Sequence, residues 1–131
     1  MILLDTNAWF WLGARPERLS GAARAAIGEA VKSGGIAIAS VSLVEMAAMM
    51  ARGRLRPAGP LDAALSRLIE ITAVVVKEIT PVIATLAVHF PAEFVRDPAD
   101  RIIAATAQAE GLPLVTRDRK LRASRLVETV W

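Results

Sequence analysis

Short apolar runs and segments of helical periodicity alternate along this chain of 131 residues. The runs are rich in aliphatic and β-branched side chains, which is typical of short buried strands, and they fall at residues 1–4, 36–41, 73–76, 112–115 and 126–130. The segments between them have the capping residues, amphipathic spacing or terminal glycines of helices, at residues 8–12, 20–32, 42–51, 61–70, 81–89 and 98–110. Strands that alternate with helices predict an α/β fold with a central, mainly parallel sheet flanked by helices.

Four acidic residues occupy related places in this pattern. Asp5 directly follows the first predicted strand, and Glu45 lies one helical turn beyond the second. Asp118 follows the strand at 112–115, and Asp100 lies in the first turn of the helix that leads to that strand. Because the carboxyl ends of parallel strands meet at one edge of a sheet, we expect the four carboxylates to lie close together.

Each of these acids also has a purely structural explanation. Asp5 can cap the helix that follows it, and Glu45 completes a capping-box pattern with Ser42. Asp100 gains from the dipole of its helix, of which Asp97 is the better N-cap. For each residue taken alone, the structural and the chemical interpretation both remain open.

Taken together, the four carboxylates predict a bound cation. Carboxylates a few ångströms apart repel one another and raise one another's pKa values, so we expect a divalent ion to compensate them. The chain has no cysteine and a single histidine, His89, at a helix end, and oxygen donors favour Mg²⁺ or Mn²⁺ over zinc. Such an ion can activate water and stabilise charge on a phosphate under attack. The sequence therefore favours a phosphodiesterase, with ordinary sheet-edge carboxylates as the alternative.

Composition is compatible with this interpretation. The length suits one domain, residues 1–131, and no apolar stretch approaches the roughly 18 residues of a membrane span. Without cysteine or a recognisable signal peptide, we expect a soluble cytoplasmic protein with no membrane partner. Sixteen Lys and Arg against thirteen Asp and Glu give a net charge of +3 and a pI of about 10.2, so nucleic acid is a plausible partner.

Three stretches resemble a known family. The opening LLDTNAWFWL, the stretch ASVSLVEMA and the run RDPADRIIAATAQAEGLPLVTRD, with the spacing between them, resemble PIN domains, in particular the VapC toxins of bacterial toxin–antitoxin pairs. The resemblance implies a PIN-like three-layer α/β fold and an endoribonuclease that depends on Mg²⁺ or Mn²⁺. It also implies a structured RNA substrate such as tRNA or rRNA, and a cognate VapB-type antitoxin that blocks the site.

The matching motifs also carry the family's site residues onto this chain. The family's four acids, which are catalytic and bind the metal, match Asp5, Glu45, Asp100 and Asp118. Small polar residues at supporting positions are Thr6, Asn7 and Thr116. Basic residues that flank the site in sequence are expected to contact RNA phosphates: Arg101, Arg117, Arg119 and Lys120. Asp97 is assigned to capping. Many relatives have histidine at the positions of Asn7 and Val95, and we expect this difference to bear on substrate preference and not on activity.

Large apolar side chains on the first and third predicted helices suggest self-association. Trp9 and Trp11 cannot both face one core if residues 8–12 are helical, so we expect one to be exposed unless a later helix covers it. The third helix adds Met46, Met49 and Met50. This aromatic and methionine-rich surface predicts a homodimer that also receives the antitoxin, as a heterotetramer or larger assembly.

Other interpretations remain open. The basic segment Arg52–Arg56 can hold phosphates or form a solvated loop. A non-catalytic binding module on a PIN scaffold is disfavoured by the presence of all four acids. A Mg²⁺-dependent phosphoryl-transfer domain is less plausible, because Asp5-Thr-Asn7 stands where haloacid-type phosphatases have Asp-x-Asp.

Overall fold

The computed structural model describes residues 1–54 and 57–131. Its strands are β1 (Ile2–Leu4), β2 (Ile36–Ala39), β3 (Val74–Lys77), β4 (Leu114–Val115) and β5 (Thr129–Val130). Its helices are α1 (Thr6–Ala14), α2 (Gly21–Ser33), α3 (Val41–Ala51), α4 (Leu61–Thr72), α5 (Pro81–His89), α6 (Pro98–Glu110) and α7 (Arg119–Ser124). A short 3₁₀ turn, Pro16–Arg18, follows α1.

The strands form one sheet in the order β3-β2-β1-β4-β5, and every pairing is parallel. In the centre, Leu3 lies opposite Ala37 on one side and Leu114 on the other. All three residues of β1 are buried, which explains their continuous apolar run, since both faces of a parallel sheet are covered by helices. The predicted α/β fold with a central parallel sheet flanked by helices is confirmed.

Two apolar cores lie on the two faces of the sheet. Helices α1 to α4 cover one face, where Trp9, Met46 and Leu68 pack against Leu4 and Ile38. Helices α5, α6 and α7 cover the other face, and the side chains buried there include Leu3, Ile83, Ile103 and Leu121. The molecule thus has three layers, and the alternation of Leu3 and Leu4 between the two cores follows from the two-residue period of a strand.

The prediction of an exposed tryptophan is wrong. Trp9 is fully buried, and its indole Nε1 donates to Thr72 Oγ1 at 3.0 Å, so α4 is the helix that covers it. Trp11 is only 8% exposed and packs on Trp131 with ring centroids 5.5 Å apart. The methionines of α3 at positions 46, 49 and 50 are core residues as well. These aromatic and methionine side chains are therefore not exposed for a subunit contact, and they no longer support the predicted homodimer.

Several local expectations change in the structure. Helix α3 begins at Val41 with Ser40 as its N-cap residue, so Ser42 lies inside the helix. Helix α7 was not predicted, because its six residues show little apolar periodicity. Of the basic segment 52–56, Arg52 and Arg54 are exposed, and Arg56 lies outside the described residues. No helix among the described residues is long and apolar enough to cross a membrane.

Candidate active site

Asp5 combines a structural role with a place in the acidic cluster. It follows β1 and caps α1, because the Ala8 backbone N–H donates to Asp5 Oδ1 at 2.7 Å. The side chain is nearly buried, at 8% exposure. Burial raises the pKa of Asp5 to about 6, opposed by hydrogen bonds from Thr116 and Ala8 and assisted by repulsion from Asp118 and Glu45. Capping and proximity to other acids are therefore not alternatives at this residue.

Glu45 is held by a side chain from α1 and not by its own helix start. The Thr6 hydroxyl donates to Glu45 Oε1 at 2.5 Å, and Thr6 Oγ1 also lies 2.8 Å from Ser42 Oγ. Thr6 and Ser42 are both buried. The expected capping box between Ser42 and Glu45 is therefore absent among the described hydrogen bonds, because α3 begins before Ser42. Thr6 instead fixes Glu45 beside the carboxyl end of β1.

Asp100 lies beside Asp97 at the start of α6, and the two acids have different environments. Asp97 caps the helix, since the Ala99 backbone N–H donates to Asp97 Oδ1 at 2.8 Å, and it is exposed. Burial raises the pKa of Asp100 to about 7, with further contributions from Asp97, Asp118, Glu45 and Asp5, in that order. The negative field at Asp100 thus comes first from Asp97 and then from all three of the other predicted site acids.

Asp118 follows β4 and caps α7. The Leu121 backbone N–H donates to Asp118 Oδ1 at 2.9 Å, and the Asp118 backbone N–H donates to Thr116 Oγ1 at 3.1 Å. Thr116 is fully buried, and it also hydrogen-bonds Asp5. Two of the predicted supporting residues, Thr6 and Thr116, therefore link neighbouring parts of the acidic cluster, whereas Asn7 is exposed in the first turn of α1.

An open cavity of about 360 Å³ has acidic and basic walls. The residues that line it are Val95, Arg96, Asp97, Asp100, Asp118, Arg119 and Lys120. Arg96 was not singled out from the sequence, although its position directly before Asp97 was a usable signal. Of the residues predicted to contact RNA, Arg119 and Lys120 line this cavity, and Arg117 is exposed but does not line it.

Arg101, which was expected to contact RNA, uses its guanidinium for contacts within the fold. Four hydrogen bonds join its guanidinium to backbone carbonyls, and these carbonyls belong to Ala87, Phe90, Pro91 and Val95. A guanidinium has five N–H donors, so at most one remains free. Arg101 is therefore a structural clamp on the connection between α5 and α6.

The predicted site acids contribute negative charge and oxygen donors to one region of the molecule. Within residues 1–54 and 57–131 the two ion pairs are Arg67–Glu70 and Lys77–Glu110, and neither involves the four predicted acids. In the same part of the chain, no three Asp, Glu or His side chains stand close enough to form a ready-made metal cage. The four predicted site acids thus have no ion-pair partner among the described residues, and their oxygen donors are of the type that Mg²⁺ and Mn²⁺ prefer.

Comparisons with known proteins identify the family of this chain. The PIN domain model matches residues 2–125. Ribonuclease VapC22 of Mycobacterium tuberculosis is 42% identical over an alignment of 132 residues, which covers 99% of this chain and 98% of that protein.

Solved structures resemble the fold at lower identity. VapBC2 from Rickettsia felis, bound to a promoter DNA fragment, has a TM-score of 0.73 at 17% identity, covering 98% of this chain and 97% of that one. A toxin–antitoxin complex from Klebsiella pneumoniae has a TM-score of 0.68 at 23% identity, with coverages of 97% and 95%. At these identities the likeness concerns the fold. With the family match and the 42% identical relative, it follows that the chain belongs to the PIN domain family and, within it, to the VapC-type proteins.

Proposed function

We propose that this protein is a divalent-cation-dependent endoribonuclease and the toxin of a VapBC-type pair. It would hydrolyse phosphodiester bonds in structured RNA, with tRNA and rRNA as the expected substrates. The observation that carries the proposal is a cluster of mutually repelling carboxylates without ion-pair partners in the described residues. The 42% identity to a protein named as a ribonuclease supports the same activity.

In this proposal Asp5, Glu45 and Asp100 hold Mg²⁺ or Mn²⁺, and Asp118 acts through water or on a second ion. The ion, when bound, supplies Lewis acidity toward water and toward the phosphate oxygens. Occupation of the site also explains how two carboxyl groups with pKa values of about 6 and about 7 can be ionised together at neutral pH, since a nearby cation favours the charged form.

The chain's own residues orient these ligands and hold the substrate. Thr6 fixes Glu45, while Thr116 and the Ala8 backbone N–H fix Asp5. Such supporting hydrogen bonds limit the rotation of a ligand and hold the site in one geometry. Arg119 and Lys120 on the cavity wall place positive charge next to the acids, where they can bind the RNA backbone.

The partner in this proposal is a VapB-type antitoxin that blocks the site. Structures with this fold include DNA-bound VapBC from Rickettsia felis and from Salmonella typhimurium. We also propose a homodimer that becomes a heterotetramer or larger assembly with the antitoxin, and this rests on the resemblance to VapC toxins and not on an exposed aromatic surface. Sedimentation at increasing protein concentration tests it, and a monomer at micromolar concentration would contradict it.

A non-catalytic binding module on the PIN scaffold is the second candidate. One observation favours it: the acids of residues 1–54 and 57–131 do not form a closed metal cage in this structure. In that case the uncompensated carboxylates would attract a basic partner and no ion would be required. The two candidates differ in whether RNA is cut.

Cleavage of a tRNA fraction in Mn²⁺ or Mg²⁺ tests the proposal. We expect discrete products that EDTA abolishes and that Asp5→Asn reduces at least about a hundredfold, because even supporting residues of metal ligands are worth about 10- to 100-fold. Asp62→Asn, which neutralises an exposed acid in the first turn of α4, is the matched control and should cleave normally. Full metal-dependent cleavage by Asp5→Asn would refute the site, and no cleavage by the wild type would favour the binding module.

A further inference from the structure

A second basic cavity lies at the opposite end of α1 from the acids. It encloses about 260 Å³ and is lined by Phe10, Trp11, Arg15, Arg18 and Arg54. The 3₁₀ turn supplies Arg18, and the segment after α3 supplies Arg54. No acidic side chain is among these lining residues. We call these five residues the arginine pocket.

Two of its arginines lie over aromatic rings at cation–π distance. The guanidinium carbon of Arg18 lies 5.8 Å from the Trp11 ring centroid, and that of Arg54 lies 5.4 Å from the Phe10 centroid. A cation–π contact is an attraction between the charge and the ring, and it does not require the N–H donors of the guanidinium. In the part of the chain that the structure describes, neither of these arginines nor Arg15 has an ion pair or a side-chain hydrogen bond. This is the opposite of Arg101, whose donors are nearly all used.

The charge balance of the pocket favours an anion. Helices α1 and α3 both end nearby, and each C-terminus contributes roughly half a negative charge. Three guanidiniums outweigh these two dipoles. Fork-shaped donors suit the tetrahedral oxygens of a phosphate, which guanidiniums bind through paired N–H groups.

We propose that the arginine pocket binds a backbone phosphate of the RNA substrate at a distance from the scissile bond; this rests on the function proposed above. Asp5 caps the start of α1 and Arg15 its end, so the two sites are about 15 Å apart along the helix at roughly 1.5 Å per residue. A single strand of a few nucleotides can span that distance. A substrate already held at the acids thus has phosphates within reach of the pocket, and basic grooves that follow the backbone bind RNA in this way.

The test is RNA binding in EDTA, where no cleavage is expected. The probe is a fluorescent single-stranded RNA of about 16 nucleotides, measured by anisotropy over a range of salt concentrations. We expect Arg18→Gln and Arg54→Gln each to weaken binding about tenfold, as for a lost charge-assisted hydrogen bond. The salt slope should fall by about 0.7 for each lost phosphate contact. Arg24→Gln, on an exposed position of α2, is the matched control and should bind like the wild type.

Two further measurements control for the loss of charge and for a folding defect. Arg18→Lys keeps the charge, so it should keep the salt slope while losing part of the affinity. Thermal melts of every variant identify any that fail to fold. Equal affinity and salt slope for folded Arg18→Gln and Arg24→Gln would overturn the inference.

The remaining outcomes separate this inference from the proposed function. If polyglutamate binds in an Arg18-dependent manner while RNA binding does not depend on Arg18, the pocket serves an acidic protein segment and the inference is overturned. If the wild type cleaves RNA but its RNA binding is independent of Arg18, only the pocket assignment fails. A wild type that neither binds nor cleaves RNA contradicts both.

Discussion

At the residue scale, single side chains serve both the fold and the site. Asp5 caps α1 through one oxygen and shares a field with Glu45 and Asp118. From the sequence alone, capping and chemistry at Asp5 were competing explanations, and the structure shows capping and clustering at once. The role of Thr6 in holding Glu45 could not be predicted in this form, because it depends on where α3 begins.

The raised pKa values predict how the metal-free protein responds to pH. Asp5 and Asp100 have folded-state pKa values of about 6 and about 7, above the usual range near 4 in the unfolded chain. At a pH between the unfolded-state pKa near 4 and the folded-state pKa values, the native state holds more protons than the unfolded state. The free energy of unfolding should therefore fall as pH rises from about 4 to about 7. For buried Asp5 the loss is about 3 kcal/mol at most.

Urea denaturation in EDTA at several pH values measures this dependence. Asp5→Asn keeps a good N-cap and removes the titrating group, so it should flatten the fall. Added Mg²⁺ should also oppose it, since the ion compensates the ionised acids. Stability that is flat or rises over this range in the wild type would show that burial and repulsion between the carboxylates do not raise the pKa values of Asp5 and Asp100 as described.

At the level of helices and strands, helix starts marked by capping residues could be predicted from the sequence. A very short helix, and side-chain contacts that depend on tertiary packing, could not. Ser20, Thr80 and Asp97 cap α2, α5 and α6, because their side-chain oxygens accept hydrogen bonds from backbone N–H groups. Helix α7 escaped prediction because only Leu121 anchors it in the core. The hydrogen bonds of Arg101 to backbone carbonyls could not be predicted either, since the sequence does not show which carbonyls will lie near a guanidinium.

Replacement of Arg101 tests the importance of that clamp. Arg101→Lys keeps the charge but cannot reach four carbonyls with one ammonium group, so we expect a loss of about 2–4 kcal/mol in the free energy of unfolding. Urea denaturation is the measurement, and Arg117→Lys at an exposed position is the control. Equal stability of the two variants would mean that the connection between α5 and α6 is held by other contacts.

At the scale of the whole molecule, the strand order brings the acids together. Strand β1 lies between β2 and β4, so Asp5, the helix bearing Glu45 and the turn bearing Asp118 share one edge of the sheet. This convergence was predictable, because parallel strands have their carboxyl ends on one side. The burial of Trp9 and Trp11 was not, since it requires α4 and the distant Trp131 to pack on them.

We propose that the four predicted site acids bind a divalent metal ion together. Titration calorimetry of Mn²⁺ into the purified protein measures this binding, with Asp100→Asn compared with Asp97→Asn. Asn preserves the cap at 97, so this neighbouring variant is the matched control. We expect Asp100→Asn to weaken Mn²⁺ binding at least about tenfold, and Asp97→Asn, which removes a neighbouring charge but no proposed ligand, to weaken it clearly less. Equal Mn²⁺ affinity in both variants, or no binding by the wild type, would show that these acids do not form a metal site.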